Sequence, residues 1–155
     1  MRKLGESIVV KLPEFLKTDC YVGGKWMAAS SDKRLDVTDP ATGDVLASVP
    51  RMGAAETDTA IAAAQAAFPD WSGRTAADRA LVLQRWAALV RAHAQDLARL
   101  VTLEQGKPMA ESLGEIEYAA SFLSWFAEEG RRLYGDIIPP HRNDARILVT
   151  RNPLG

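Results

Sequence analysis

The stretch that decides the fold is TLEQGKP, residues 102–108. Apolar residues recur at helical spacing up to this point, Gly106 can end a helix in the left-handed conformation, and Pro108 cannot continue the same helix. A phosphate-binding loop of the Walker type would need a glycine in place of Val101 and a Ser or Thr after Lys107. The loop also follows a helix C-terminus, where the helix dipole repels anions. The Gly-Lys pair is therefore predicted to stop a helix rather than to bind a nucleotide.

The composition is typical of a single globular domain that has neither a nucleic-acid nor a membrane partner. The chain has 155 residues, of which 47% are hydrophobic and 25% charged, and its net charge is −1. Acidic and basic residues are interleaved, which leaves no basic surface for nucleic acid or for an anionic membrane. The single cysteine, Cys20, excludes an internal disulfide, and the longest uncharged run, 59–69, is too short to span a bilayer. We therefore expect a cytoplasmic protein.

An irregular arm and two hairpins are predicted before the first helix. Residues 1–19 show no clear periodicity. The Gly-Gly pair within 21–26 predicts a first hairpin. Alternating residues at 35–38 and 45–49 flank the turn sequence 39–44, and this pattern predicts a second hairpin.

Helical periodicity then predicts three helices, and a strand follows them. The first helix begins near Ala54 and is expected to end at Pro69. A capping pattern starts the second helix, which spans 75–105, and the third spans 109–134. The run at 146–150 reads as a strand with no partner downstream of it.

The apolar stripes of the second and third helices are predicted to face the core. On the second helix the stripe consists of Val82, Trp86, Leu89, Val90, His93, Leu97 and Leu100. On the third it consists of Leu113, Ile116, Ala120, Leu123, Phe126 or Ala127, and Gly130. Gly130 costs about 1 kcal/mol relative to alanine inside a helix, which a close contact with a neighbouring element would offset.

Few residues carry candidate chemistry. Cys20 precedes a hairpin rather than a helix N-terminus, so it is not predicted to be a catalytic thiol. His93 is expected to be a satisfied or half-exposed core histidine rather than a ligand, and His141 has no second His or Cys nearby, so metal-ligand spacing is not met. Glu111 and Glu115 are one helical turn apart and can form a carboxylate pair, although a solvated acidic face is the favoured interpretation.

Tyr118, Phe122 and Trp125 form an aromatic stripe beside the aliphatic face of the third helix, and Phe126 adjoins it. Most such stripes belong to a core. A helix with two apolar faces is otherwise buried on both sides, or one face lines a cavity or a subunit contact. These alternatives stay open at this point.

Five short sequence motifs follow one another along the chain in a recognisable order. They are YVGGKW (21–26), DVTDPATGDVLASVP (36–50), AIAAAQAAFPDW (60–71), LVTLEQGKP (100–108) and RILVTRNPLG (146–155). Together they resemble the N-terminal third of the NAD(P)-dependent aldehyde dehydrogenases. A further segment, EIEYAASFLSWFAEEGRRLYGDIIP (115–139), resembles the succinate-semialdehyde dehydrogenase branch, and close relatives such as glutarate-semialdehyde dehydrogenases share it.

The resemblance implies an α/β fold that is an incomplete Rossmann-type fold. Residues 1–19 would form the irregular arm. Residues 20–135 would supply two hairpins and three helices of the cofactor-binding domain. Residues 136–155 would begin the oligomerisation arm, whose strand 146–150 joins subunits into a homo-oligomer.

The resemblance also implies an activity, the oxidation of succinate semialdehyde to succinate with NAD or NADP in 4-aminobutyrate breakdown. In the family, the Asn that binds the oxyanion, the cofactor strands, the general-base Glu and the nucleophilic Cys correspond to positions after Gly155. The resemblance therefore implies that these 155 residues contain no catalytic and no cofactor-binding residue, bind no NAD or NADP, and are inactive alone.

Two smaller sites are implied by the resemblance. Tyr118 and Phe122 match positions that line the substrate entrance, and Glu104 with the carbonyl of Val37 matches a structural site for a monovalent cation. The alternative to this enzyme interpretation is a stand-alone helical interaction module without catalysis, which would use the aromatic stripe as its contact face.

Overall fold

A computed structural model describes residues 12–154 and confirms the predicted mixed α/β class. The strands are β1 (Cys20–Val22), β2 (Lys25–Met27), β3 (Arg34–Thr38), β4 (Val45–Pro50), β5 (Asp136–Ile138) and β6 (Ile147–Val149). The helices are α1 (Ala54–Gly73), α2 (Ala76–Ala92), α3 (Ala94–Gln105) and α4 (Met109–Glu129). The strands form three antiparallel pairs, β1 with β2, β3 with β4 and β5 with β6. Residues 12–19 contain a turn and a bend but no helix or strand, and residues 1–11, the rest of the predicted arm, lie outside the described part.

Both predicted hairpins are confirmed. Gly23 and Gly24 join β1 to β2 with φ of +56° and +82°, the pair of positive values that a two-residue hairpin turn of type I′ requires. In the second hairpin the Gly43 N–H donates to the Asp39 carbonyl at 2.8 Å and closes the turn. The β3–β4 register shifts at Val37, where a bulge interrupts the ladder.

Helix α1 continues past Pro69 and ends at Gly73, so the prediction that the proline ends it is wrong. A proline inside a helix removes the hydrogen bond to the carbonyl four residues earlier, here that of Gln65. Since Gln65 is exposed and α1 has no buried residue, water can satisfy that carbonyl. Neither α1 nor any other helix within residues 12–154 has the length and hydropathy that crossing a membrane would require.

The second predicted helix is divided at His93, so the chain has four helices where periodicity predicts three. His93 takes φ −107° and ψ 19°, outside the helical region, and is both the last cap of α2 and the first of α3. Its ring is exposed and meets Phe15 edge to face, with the centroids 5.0 Å apart. His93 is therefore not buried in the helical core; of the two settings expected for it the exposed one applies, because the break places the ring beside the N-terminal arm.

The helical core is made by α4, which packs against both α2 and α3. Alanines mark the contacts: Ala80 and Ala87 on α2, Ala98 on α3, and Ala120 and Ala127 on α4 are all buried. Small side chains let the helix backbones approach closely. The predicted buried face of the third helix is confirmed at Ala120 and Ala127. The sequence left the choice between Phe126 and Ala127 open, and Ala127 is the buried one.

The TLEQGKP stretch ends α3 as predicted. Gly106 has φ +75°, and its N–H donates to the Thr102 carbonyl at 2.8 Å. Pro108 then caps α4 and accepts hydrogen bonds from the N–H groups of Glu111 and Ser112. The fully buried Ser112 hydroxyl lies 2.9 Å from the Thr102 hydroxyl, so the end of α3 and the start of α4 are joined directly.

The end of α4 differs from the prediction at Gly130. The helix ends at Glu129, and Gly130–Arg132 forms a turn of 3₁₀ helix. A Cβ placed on Gly130 would meet no atom of residues 12–154 within 4 Å, so the proposed close contact is absent from this part of the chain. After this turn, β6 finds its partner upstream, in β5, with Asp136 opposite Val149.

Candidate functional site

The most distinctive surface is the aromatic face of α4, which consists of Tyr118, Phe122, Trp125 and Phe126. The Tyr118 and Phe122 rings meet edge to face with centroids 4.8 Å apart, and Phe122 and Phe126 stack at 6.2 Å. With Ser121, these four side chains line an open hollow of about 320 Å³. All four rings are exposed, so none belongs to a core formed by the described residues. The aromatic face can therefore line a cavity or a contact.

Two polar contacts with α2 fix the rotation of α4 about its axis. Arg91 donates to both carboxylate oxygens of Glu117, at 2.9 to 3.1 Å, and to the Ser124 hydroxyl at 3.3 Å. About three turns further along α4, the Gln84 amide of α2 donates to Glu128 at 2.8 Å. Hydrogen bonds to Glu117 raise the pKa of Arg91, and the guanidinium lowers the pKa of Glu117. These contacts hold the aromatic face on the side of α4 that points away from α2.

The glutamates of α4 behave as a solvated acidic face, the favoured interpretation of the sequence. Glu115 forms an ion pair with Lys107, and Glu117 forms one with Arg91. Glu111 is exposed in the first turn, where the helix dipole favours a negative charge. Glu115 is therefore paired with a cation, as a carboxylate of a charged surface face commonly is.

Glu104 and Val37 are brought to one place, as the cation hypothesis requires. Both line a hollow of about 190 Å³ between the β3–β4 hairpin, α3 and the N-terminal arm. Val37 stands at the bulge, where the interrupted ladder can leave a backbone carbonyl free to bind a ligand. A carboxylate and carbonyl oxygens are suitable ligands for a hard cation. Lys17 lines the same hollow, and its ammonium group would compete with a bound cation.

Cys20 and His141, the other candidate metal ligands, lie in different elements of the fold. Cys20 is a free, half-buried thiol in β1, and His141 is exposed in the loop between β5 and β6. No group of three or more His, Cys, Asp or Glu side chains suited to a metal ion occurs within residues 12–154.

The described residues do not fit a nicotinamide dinucleotide. A dinucleotide pyrophosphate is bound where a strand of a parallel sheet turns into a helix N-terminus. Each described strand pair is antiparallel, and the Gly106-Lys107 pair follows the C-terminal end of α3, where the dipole disfavours an anion.

A second exposed apolar surface lies on α2, where helical periodicity predicts a buried one. We call Val82, Trp86 and Leu89 the outer face of α2; Trp86 is 57% exposed and Leu89 60%. The sequence predicts that these side chains face the core. This is wrong within residues 12–154, because α2 contacts α4 through Ala80 and Ala87 on the opposite side of the helix.

The family profile described as "Aldehyde dehydrogenase family" matches residues 26–155. The chain belongs to the aldehyde dehydrogenase family. Succinate-semialdehyde dehydrogenase [NADP(+)] GabD of Escherichia coli is 55% identical over 139 residues, which are 90% of this chain and 29% of that protein. Glutarate-semialdehyde dehydrogenase of Pseudomonas putida KT2440 is 49% identical over 94% of this chain, and 3-sulfolactaldehyde dehydrogenase of Pseudomonas putida is 50% identical over the same share.

Solved structures place the fold in the same family. The crystal structure of succinate-semialdehyde dehydrogenase from Burkholderia pseudomallei superposes with a TM-score of 0.91 at 53% identity, covering 95% of this chain and 30% of that one. The chain thus spans about 30% of the length of the curated relatives and solved structures to which it is most similar here. The helices and hairpins described above are therefore the aldehyde dehydrogenase arrangement of this part of the sequence.

Proposed function

We propose that this chain is the N-terminal part of an NAD(P)-dependent semialdehyde dehydrogenase that oxidises succinate semialdehyde to succinate. The observation that carries the proposal is the identity of 55% to the Escherichia coli succinate-semialdehyde dehydrogenase. The names of the similar relatives share one chemical class, a short aldehyde with an anionic group, either a carboxylate or a sulfonate, on the same molecule. Succinate semialdehyde is our choice within that class, with a role in 4-aminobutyrate breakdown.

A covalent chimera tests the choice of substrate. The first part of the Escherichia coli enzyme is replaced by this chain, and reduction of NAD and NADP is followed with succinate semialdehyde, glutarate semialdehyde and an uncharged aldehyde of similar length. We expect turnover with the highest kcat/KM for succinate semialdehyde. A folded chimera that turned over none of the anionic aldehydes would overturn the proposal, and a preference for glutarate semialdehyde would overturn the choice of substrate.

We propose further that the 155 residues have no dehydrogenase activity and bind no NAD or NADP alone. The antiparallel strand pairs and the position of Gly106-Lys107 support this, as does the structural setting of Cys20 in a hairpin rather than at a helix N-terminus. The test assays the isolated chain with succinate semialdehyde and each nucleotide, beside Cys20→Ser. Turnover that disappears in Cys20→Ser would refute the proposal.

The aromatic face of α4 is proposed to line the substrate entrance through Tyr118 and Phe122. Support comes from the hollow that these rings form and from their exposure. In the chimera, Phe122→Ala should raise KM for the aldehyde several-fold with little change in kcat, because the side chain contacts the substrate away from the reacting carbonyl. Ile61→Ala, at an exposed apolar side chain of α1, is the matched control. Equal KM values for both variants would exclude the entrance role.

The hollow at Glu104 and Val37 is proposed to hold a monovalent cation. Unfolding midpoints of the chain are measured in potassium, sodium and tetramethylammonium chloride at equal ionic strength. A site that binds one small cation stabilises the folded chain, so we expect the unfolding midpoint to differ among the three salts. Glu104→Gln should abolish that difference. Glu111→Gln, which removes an exposed carboxylate from α4, should preserve it. Identical unfolding midpoints in all three salts would refute the cation site.

Residues 20–135 are proposed to belong to the cofactor-binding domain and 136–155 to an arm that forms a homo-oligomer through strand 146–150. One edge of β6 pairs with β5, and Leu148 and Ile137 are 68% and 84% exposed. An exposed apolar strand is suited to pairing with another chain. Leu148→Lys should therefore lower the mass of the chimera measured by light scattering. An unchanged mass would exclude this strand from the subunit contact.

A further inference from the structure

Helix α4 carries side-chain charges of one sign only. Its 21 residues include glutamates at positions 111, 115, 117, 128 and 129, and they include no lysine, arginine or histidine. The same helix presents the aromatic face around its open hollow. The apolar surface proposed to line the substrate entrance therefore lies on a negatively charged helix, whereas the proposed substrate is itself an anion. An anion that approaches this face would be repelled unless the helix charge is cancelled.

Two of the glutamates lie next to the aromatic face. Glu115 precedes Tyr118 by three residues and Phe122 by seven, which places the three side chains on one side of α4. Glu117 precedes Ser121, which also lines the hollow, by four residues and is therefore one turn away from it. Side chains at this spacing have Cβ atoms about 5–6 Å apart. Both carboxylates thus lie close enough to the hollow for their charge to act on a ligand that enters it.

Each of these two carboxylates has a cationic partner from another part of the fold. Lys107, between α3 and α4, forms an ion pair with Glu115, and the lysine side chain is only 21% exposed. Arg91 of α2 donates to both carboxylate oxygens of Glu117 at 2.9 to 3.1 Å. Glu111 lies in the first turn, where the helix dipole offsets its charge. The negative charge beside the aromatic face is therefore cancelled by groups outside α4.

We infer that Lys107 and Arg91 are specificity determinants, because they neutralise the carboxylates beside the aromatic face and so allow an anionic aldehyde to approach it. The inference rests on the proposed function, including the entrance role of the aromatic face. Ion pairs that are exposed to solvent contribute little to stability. The net charge beside the hollow, rather than the stability of α4, is thus the property that these two cations set for the substrate.

The test uses the covalent chimera with Lys107→Gln and with Arg91→Gln, each at saturating NADP. Succinate semialdehyde is compared with butanal, an uncharged aldehyde of the same carbon number. One unpaired charge about 10 Å away across water changes the local concentration of an anion about twofold. We therefore expect each variant to raise KM for succinate semialdehyde about two- to threefold at about 10 mM salt, with kcat and both constants for butanal unchanged. At about 1 M salt the difference should vanish, because the Debye length falls to about 3 Å.

The double variant Lys107→Gln/Glu115→Gln separates charge from structure. It removes both members of the ion pair and leaves no net charge, so KM for succinate semialdehyde should return to the value of the unsubstituted chimera. Arg74→Gln removes the cation of the exposed Arg74–Asp70 pair at the end of α1 and is the matched control, which should change neither KM.

Three results would overturn the inference while the proposed function stands. They are an unchanged KM for succinate semialdehyde in both single variants, an equal rise in KM for the two aldehydes, and a double variant as impaired as Lys107→Gln. An equal rise for both aldehydes would mean that the ion pairs act through the structure of α4. A folded chimera that turns over no anionic aldehyde overturns the proposed function itself.

Discussion

Replacing Gly106 with alanine should destabilise the fold, because the joint between α3 and α4 depends on that glycine. Gly106 has φ +75° and ψ 9°, and an alanine in this left-handed region costs about 1–2 kcal/mol. The new Cβ would also lie 3.1 Å from Cγ of Pro40, closer than the 3.5–4.0 Å or so of an ordinary carbon contact. The backbone cost and the contact add in the same direction, and we expect a loss of about 2 kcal/mol.

Equilibrium unfolding in urea, followed by circular dichroism, measures the effect. A loss of about 2 kcal/mol lowers the urea midpoint by about 1 M for a typical slope. Gly106→Asn separates the two contributions: asparagine carries the same Cβ but tolerates positive φ, so it should lose less stability than Gly106→Ala. A double-mutant cycle with Pro40→Ala isolates the contact energy.

Gly114→Ala is the matched control for the same substitution. Gly114 lies in the interior of α4, and a Cβ there would meet no atom within 4 Å. This variant should gain up to about 1 kcal/mol from helix propensity. If Gly106→Ala were as stable as the unsubstituted chain, or if both glycines responded alike, the role assigned to the left-handed residue would be refuted.

Three further substitutions follow from the contacts. Gly135→Ala should open the β5–β6 pair, because its Cβ would clash with the Val149 carbonyl oxygen; faster amide exchange in β6 measures this, and unchanged exchange would contradict it. Gly130→Ala should be neutral or stabilising by up to about 1 kcal/mol in the same urea assay, and a loss of stability would reveal a close contact after all. Hydrogen bonds, led by that from the Ser30 hydroxyl, lower the pKa of Glu56 from 4.5 to about 2, so its contribution to stability is complete above pH 4.5 and is lost as the pH falls through 2. Midpoints of Glu56→Gln should therefore vary less than those of the unsubstituted chain between these pH values, and parallel curves would refute the assignment.

The sequence predicts turns and helix ends well where the backbone demands one residue type. Gly23 and Gly24 take positive φ as the hairpin predicts, and Gly106 ends α3 as its neighbour Pro108 suggests. It fails at His93, where nothing in the residue type marks the break between α2 and α3. The positive φ of a glycine is a local property. The break at His93 instead depends on how α2 and α3 each pack against α4, and the effect of Pro69 depends on whether water can satisfy the carbonyl that it leaves without a donor.

The candidate site shows a second limit of periodicity. A stripe at helical spacing identifies side chains that favour burial, but it does not identify the neighbour that buries them. Alanine, small and weakly hydrophobic, makes the helix contacts at Ala87 and Ala120, while the larger Trp86 and Phe122 remain exposed. The stripe of largest residues on α2 therefore points away from α4 within residues 12–154, and helical spacing alone does not specify which neighbour, if any, covers it.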